Sequence, residues 1–242
     1  MLPGQTPYDR PDLIARVFHL KFKSLLDDIM NKQIFGKAVG YVYTVEYQKQ
    51  GLPHTHSIIF LDRLARLATS QAVDAVISTE FPNHTQNPRL FELVQHMTHR
   101  PCGGRFKCPC MNDQGLCTKG FPKPFQEETL FTGESYVKTR RRHTDIQHHI
   151  CGADLDNRWI VSYCPFLLSK YESHINVECT TGFNAVKYIY KVTITTKGIQ
   201  QNQLTLTLSM FTKVLIVLRL PYILIVLLIN HFQDHPINSL HN

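Results

Sequence analysis

The chain has 242 residues, 43% hydrophobic and 19% charged, with a formal net charge of +7 and a sequence pI of about 9.0. This is a globular composition with room for one large domain, or a domain with appendages, but not for a second large module. The excess of base excludes an acidic chain and favours an anionic partner, either nucleic acid or an anionic membrane surface. That excess is local: residues 100–142 hold nine Lys/Arg against four Asp/Glu, five of the seven net charges.

The N-terminal Met1-Leu2-Pro3-Gly4-Gln5-Thr6-Pro7 does not read as a secretory signal. Residues 9–31 predict an amphipathic helix, with Asp9 able to cap it, Pro11 in its first turn, and Leu13, Val17, Leu20, Leu25 and Ile29 at helical spacing. Residues 39–48 are rich in β-branched and aromatic side chains and predict a strand. After the short connection Lys49-Gln50-Gly51 comes Leu52-Pro53-His54-Thr55-His56-Ser57-Ile58-Ile59-Phe60-Leu61. It predicts a second strand, paired with the first as an antiparallel hairpin.

His54 and His56 stand one residue apart on that strand, so their imidazoles share a face. Two imidazoles so placed suit one divalent metal ion. On the first strand Glu46 and Gln48 share a face with each other and not with Tyr43, Val45 and Tyr47. If that face is the histidine face, either residue could supply a third, oxygen ligand.

Residues 62–81 predict a short helix (Leu64, Leu67, Val73, Ile77), broken at Pro82-Asn83-His84, and a second helix runs from about Arg89 to His96. Residues 99–124 are laden with Gly and Pro and show no periodicity. Four of the chain's seven cysteines lie within residues 102–117. Without a secretory context, such crowding points to metal rather than disulfides. His99, Cys102, Cys110 and Cys117, at His-x2-Cys-x7-Cys-x6-Cys, form a candidate structural zinc set that leaves out Cys108. The alternative is a loop of free thiols. Lys138, Arg140, Arg141 and Arg142 form a basic run suited to a nucleic-acid backbone, or else a solvated charged stretch.

Residues 158–164 and 174–179 predict strands, and Ala185–Lys191 a helix. That helix carries Lys187-Tyr188-Ile189-Tyr190-Lys191. Tyrosine can attack phosphorus when a metal or base assists it, and flanking lysines can hold a phosphate; a packed aromatic is the plainer reading. After Gly198 the chain becomes Leu-, Ile-, Val- and Thr-rich. The run Val214–Ile229 is interrupted by Arg219 and Pro221, which counts against a membrane-spanning helix of about 20 apolar residues.

Taken together, these residues resemble the HUH-type rolling-circle nucleases, in particular the Helitron transposase replication-initiator domain, often labelled Helitron helicase-like. The resemblance runs from about Gly4 to Gly198. It is carried by Asp9-Arg10-Pro11-Asp12-Leu13, Phe35-Gly36-Lys37, Gly51-Leu52-Pro53-His54-Thr55-His56, Pro101-Cys102-Gly103 and Cys117-Thr118-Lys119-Gly120-Phe121-Pro122-Lys123. Further blocks are Arg140-Arg141-Arg142, Asp156-Asn157-Arg158-Trp159-Ile160-Val161, His174-Ile175-Asn176-Val177-Glu178 and Ala185-Val186-Lys187-Tyr188.

The resemblance implies an α+β fold with a central antiparallel sheet flanked by helices, a Cys-rich insert at 99–124, and a divergent apolar tail at 199–242 whose composition suggests another reading frame. It implies Mg²⁺ or Mn²⁺ on His54, His56 and one further polar residue, single-stranded DNA as substrate, and Tyr188 as nucleophile with Lys187 and Lys191 beside it. It also implies a nuclear protein whose full-length relatives carry a helicase, for which no Walker-type motif is found here. The family pattern has a second tyrosine four residues on, where this chain has Val192. The expectation is therefore a truncated or decayed nuclease copy. The alternatives are an inactive, zinc-stabilised nucleic-acid-binding remnant and, from the tail alone, a membrane-anchored protein.

Overall fold

The computed structural model describes residues 9–47, 52–62, 67–102, 108–133, 136–150 and 152–180, and the strand at 222–228. The chain divides into two compact units. One comprises Met1–Thr69, Thr132–Val137 and Glu178–Ile229; the other comprises Ser70–Phe131, Lys138–Val177 and Asn230–Asn242.

The first unit opens with helix α1 (Pro11–Met30), whose buried side chains Phe18, Phe22, Leu25 and Ile29 recur at helical spacing. Its N-cap is Arg10 rather than the expected Asp9, and no side chain caps it. Pro11 suits the first turn because its missing N–H would have had no partner there, and Arg10 instead grips Asp12 at 2.9 Å. Strands β1 (Ala38–Tyr47) and β2 (Pro53–Leu61) then pair antiparallel, from Tyr47 opposite Pro53 to Ala38 opposite Leu61, with one irregularity between Ala38 and Gly40. The connection at 48–51, including Gln48, lies outside the described residues.

β1 alternates between exposed and half-buried residues, whereas β2 is buried at every position but His54. The difference reflects place in the sheet. β1 is an edge, while β2 lies between β1 and strand β6 (Tyr222–Leu228), with β5 (His174–Thr180) at the far edge in the order β1-β2-β6-β5. A strand flanked on both sides and covered on both faces reads as a continuous apolar run, as Ile58–Leu61 does. β6 pairs antiparallel with β2, from Phe60 opposite Tyr222 to His54 opposite Leu228. This part of the apolar tail thus forms a sheet strand, and among the described residues no helix is long and apolar enough to cross a membrane.

The second unit contains α2 (Ser70–Asp74), α3 (Pro88–Gln95), the hairpin of β3 (His148–Ile150) with β4 (Ala153–Leu155), a single 3₁₀ turn at Asn157–Trp159, and α4 (Pro165–Tyr171). Its core is built from Leu93, Val94, Met97, Ile160, Tyr163 and Leu168. Two sequence expectations change here. Among the described residues the helix expected over 62–81 is confined to Ser70–Asp74, and Ser78 instead exchanges both backbone hydrogen bonds with Tyr163 at 2.8 and 2.9 Å. The strand expected at 158–164 starts instead as the 3₁₀ turn, since the Asp156 carboxylate accepts from the Arg158 amide and caps it. Beyond the turn the chain is extended, held by the isolated pairings of Ile160 with Thr98 and Tyr163 with Ser78.

The buried Tyr163 hydroxyl donates to the Glu80 carbonyl at 2.8 Å. Replacing Tyr163 by Phe leaves that carbonyl with only the longer bond from the Ser78 hydroxyl at 3.4 Å and should cost about 1 kcal/mol of stability. Denaturant unfolding checks this; a variant as stable as the wild type would contradict the assigned bond.

Candidate metal centres

The β1–β2 register places Glu46 directly opposite His54 and Thr44 directly opposite His56. Residues opposite each other in a ladder, and residues two apart along a strand, share a face. Glu46, Thr44, His54 and His56 therefore stand on one face of the hairpin. Their ligand atoms converge: the two Nε2 atoms are 2.6 Å apart, and a Glu46 carboxylate oxygen lies 3.7 Å from His54 Nδ1 and 3.9 Å from His56 Nε2. The His54 and His56 side chains are only 12% and 5% exposed. Burial lowers the pKa of both rings. Glu46 partly opposes this for His54; the neighbouring His54 adds to it for His56, which falls to about 4. Both imidazoles are thus neutral at physiological pH, the form that ligates metal.

The donor set fits a divalent ion. One carboxylate with two imidazoles is a mixed O/N set that Mn²⁺ and related ions accept. Two nitrogens about 2.1 Å from one ion stand about 3.0–3.4 Å apart, so the rings need part by only about half an ångström. The Thr44 hydroxyl on the same face is also buried without a hydrogen-bond partner among the described residues, an orphan that a ligated ion or its water would complete. Sequence reading missed Thr44, because only the register shows that it faces His56.

A second convergence lies in the other unit. His99 Nε2 stands 3.4 Å from Cys102 Sγ, 3.5 Å from Cys110 Sγ and 3.5 Å from Cys117 Sγ. Cys108 is turned away, its thiol 3.7 Å from the Pro101 carbonyl. The structure thus brings together the same four residues that the spacing singles out.

The basic run behaves otherwise. Arg141 is buried, and its guanidinium donates to the Asn157 carbonyl and, at 2.9 Å, to the Ile160 carbonyl. Arg142 makes a fork onto Glu80, with its Nε at 2.9 Å and a terminal nitrogen at 2.7 Å, while its own amide donates to the same carboxylate. Arg140 lies 3.4 Å from Asp74 and 3.6 Å from Glu80. The three guanidiniums are engaged by acceptors inside the unit, although Arg142, like Lys138, keeps part of its side chain exposed. The sequence could not show this, because the acceptors lie about 15 to 60 residues away along the chain. Tyr188, Lys187 and Lys191 lie outside the described residues.

Arg141→Met strips the Ile160 carbonyl of its guanidinium donor, leaves the Asn157 carbonyl with only the Ile160 amide at 3.3 Å, and should cost about 2–3 kcal/mol, whereas Arg142→Ala, at a half-exposed side chain, should cost about 1 kcal/mol or less. Equal losses on thermal unfolding would contradict the distinction. Burial raises the Glu80 pKa, but the hydrogen bonds from Arg142 and the charges of Arg140 and Arg142 outweigh it and hold the carboxyl below its ordinary 4.5. Its contribution is therefore full above pH 4.5 and is lost as pH falls through the lower, folded-state value. Glu80→Gln should lose about 1–3 kcal/mol at neutral pH and flatten the acid decline; an acid-unfolding curve parallel to the wild type would contradict this.

No curated protein matches the chain. The family model described as "Helitron helicase-like domain at N-terminus" matches residues 1–59, about a quarter of the chain. Over that segment, which takes in α1, β1 and both histidines of β2, the chain is similar to the Helitron helicase-like family.

Proposed function

We propose that the chain is a HUH-type nuclease domain of a Helitron-like element, which nicks and rejoins single-stranded DNA with the aid of a divalent metal. The observation that carries this reading is the convergence of Glu46, His54 and His56 on one half-buried face of a sheet, within the segment similar to the Helitron helicase-like family. Mg²⁺ or Mn²⁺ held there would polarise the scissile phosphate and offset the charge that builds on its oxygens.

The remaining chemistry belongs to side chains. The neutral imidazoles of His54 and His56 present lone pairs without first losing a proton at physiological pH. Glu46 supplies the negative charge that a dication needs, and the apolar strand beyond His56 keeps bulk water from one side of the site. Tyr188 attacks phosphorus: the bond from its phenolic oxygen to phosphorus forms, the bond from phosphorus to the 3′ oxygen breaks, and the phenolic proton passes to solvent while the departing 3′ oxygen takes one up from it. The products are a 5′-phosphotyrosine and a free 3′-hydroxyl. Lys187 and Lys191 hold the phosphate. Rejoining is the same displacement run backwards by a 3′-hydroxyl. With Val192 where the family pattern has a second tyrosine, one strand is handled at a time.

The test is an SDS-resistant adduct between the purified full chain and a single-stranded oligonucleotide in Mn²⁺. The wild type should form it, a chelator should abolish it, and Tyr188→Phe and His54→Ala should each reduce it at least about 100-fold. Adduct formation unchanged in Tyr188→Phe would remove the nucleophile assignment. Salt-dependent DNA binding with no adduct under any metal would favour the second reading, a non-catalytic nucleic-acid-binding remnant, to which the closed cluster of His99, Cys102, Cys110 and Cys117 lends support.

A further inference from the structure

The cysteine-rich segment plays no part in the nicking chemistry. We infer that His99, Cys102, Cys110 and Cys117 hold one structural Zn²⁺ in a closed tetrahedral site. The three N···S distances, 3.4, 3.5 and 3.5 Å, are equal within a tenth of an ångström. With Zn–S at about 2.3 Å and Zn–N at about 2.0–2.1 Å, the N···S edge of a tetrahedron is about 3.5 Å.

Hydrogen bonding alone does not account for the arrangement. A neutral imidazole Nε2 has one lone pair and accepts one S–H, not three. A disulfide would take two sulfurs and leave the third, with the histidine, unexplained. Four lone pairs aimed at a common centre satisfy all four groups at once.

The backbone is shaped to the same end. Thr118 donates to the Cys110 carbonyl through its amide at 2.7 Å and its hydroxyl at 2.8 Å, and the Gly120 amide reaches the Cys117 carbonyl at 2.9 Å. Gly120 has φ of +68°, the left-handed conformation that lets the chain turn back under the sulfur. The backbone amides of Lys119 and Phe121 hydrogen-bond to Cys117 Sγ. His99 is fixed by stacking on Phe121, with ring centroids 4.4 Å apart. Both ends of the segment are tied to one short stretch: the His99 amide donates to the Trp159 carbonyl at 2.7 Å and the Lys123 amide to the Arg158 carbonyl at 3.0 Å.

Four protein ligands leave no open position, so the site is structural rather than catalytic. Three thiolates select Zn²⁺ over the Mg²⁺ or Mn²⁺ suited to the carboxylate of Glu46. None of the described residues of the segment, 99–102 and 108–124, is buried, so metal binding and its ordering are one event.

The test uses the full chain, purified without chelator. It should carry one zinc per chain, and Co²⁺ in its place should give thiolate charge-transfer and tetrahedral ligand-field bands. Cys108→Ser should keep the metal and the spectrum, and the double variant His54→Ala with His56→Ala should also keep them, which separates this site from the nuclease reading. Cys117→Ser and His99→Ala should lose the metal. If those two are insoluble, thiol labelling of the wild type decides: Cys102, Cys110 and Cys117 should be protected until a chelator is added, while Cys108 reacts throughout. Absence of a thiolate–Co²⁺ band, loss of zinc in Cys108→Ser, or loss of zinc only in the histidine double variant would each overturn the proposal.

Discussion

The two-residue period of the β1–β2 ladder is the constraint on which the candidate nuclease centre rests. Glu46 opposes His54, and Thr44 opposes His56, only because the pairing runs without a bulge from Gly40 to Tyr47. A slip of one residue would send both histidines to the opposite face and bring Tyr43, Val45 and Tyr47 to the metal side. The apolar run after His56 guards against that slip. Ile58, Ile59, Phe60 and Leu61 are all buried, so a shifted register would have to re-bury them on different neighbours. Core packing thus sets the geometry of a polar site. β6 contributes to this by closing the second edge of β2.

The second unit rests on satisfying polar backbone in a region poor in regular structure. Arg141 closes the carbonyls of Asn157 and Ile160, Asn157 reaches the Phe81 amide and the Arg142 carbonyl, and Glu80 gathers Arg142. Buried backbone groups without a partner cost as much as a lost hydrogen bond, and here side chains do what strands would do elsewhere. The cysteine-rich segment, hung from Arg158 and Trp159, extends that frame, with thiolate and imidazole ligands in place of amides and carboxylates.

The sequence showed the first unit well and the second poorly, for a physical reason. α1, β1 and β2 come from local periodicity, and the histidine face and Glu46 come from alternation together with the short connection that makes a hairpin. The convergence of His99, Cys102, Cys110 and Cys117 was legible because thiol and imidazole spacing is itself the signal, although why Cys108 is left out emerges only in three dimensions. The arginines misled: Arg140-Arg141-Arg142 looks like a patch for phosphate, but its partners Asp74, Glu80, Asn157 and Ile160 are remote in sequence. The short helix expected over 62–81 is, among the described residues, shorter still, Ser70–Asp74, for a related reason, since Ser78 answers to Tyr163 rather than to its own neighbours. Part of the apolar tail proved to be a sheet strand, because seven β-branched and apolar residues after Pro221 suit an edge of β2 as well as they suit a membrane.

The central claim is that Glu46, His54 and His56 form one divalent-metal site. It is tested most directly by titrating Mn²⁺ into the chelator-treated full chain and following the loss of the free-ion paramagnetic resonance signal. The account predicts one site in the wild type, weakened at least about 100-fold in His54→Ala and in His56→Ala, and weakened less in Glu46→Gln, which keeps an oxygen but loses the charge. Mn²⁺ binding of equal strength in the wild type and both histidine variants would contradict it.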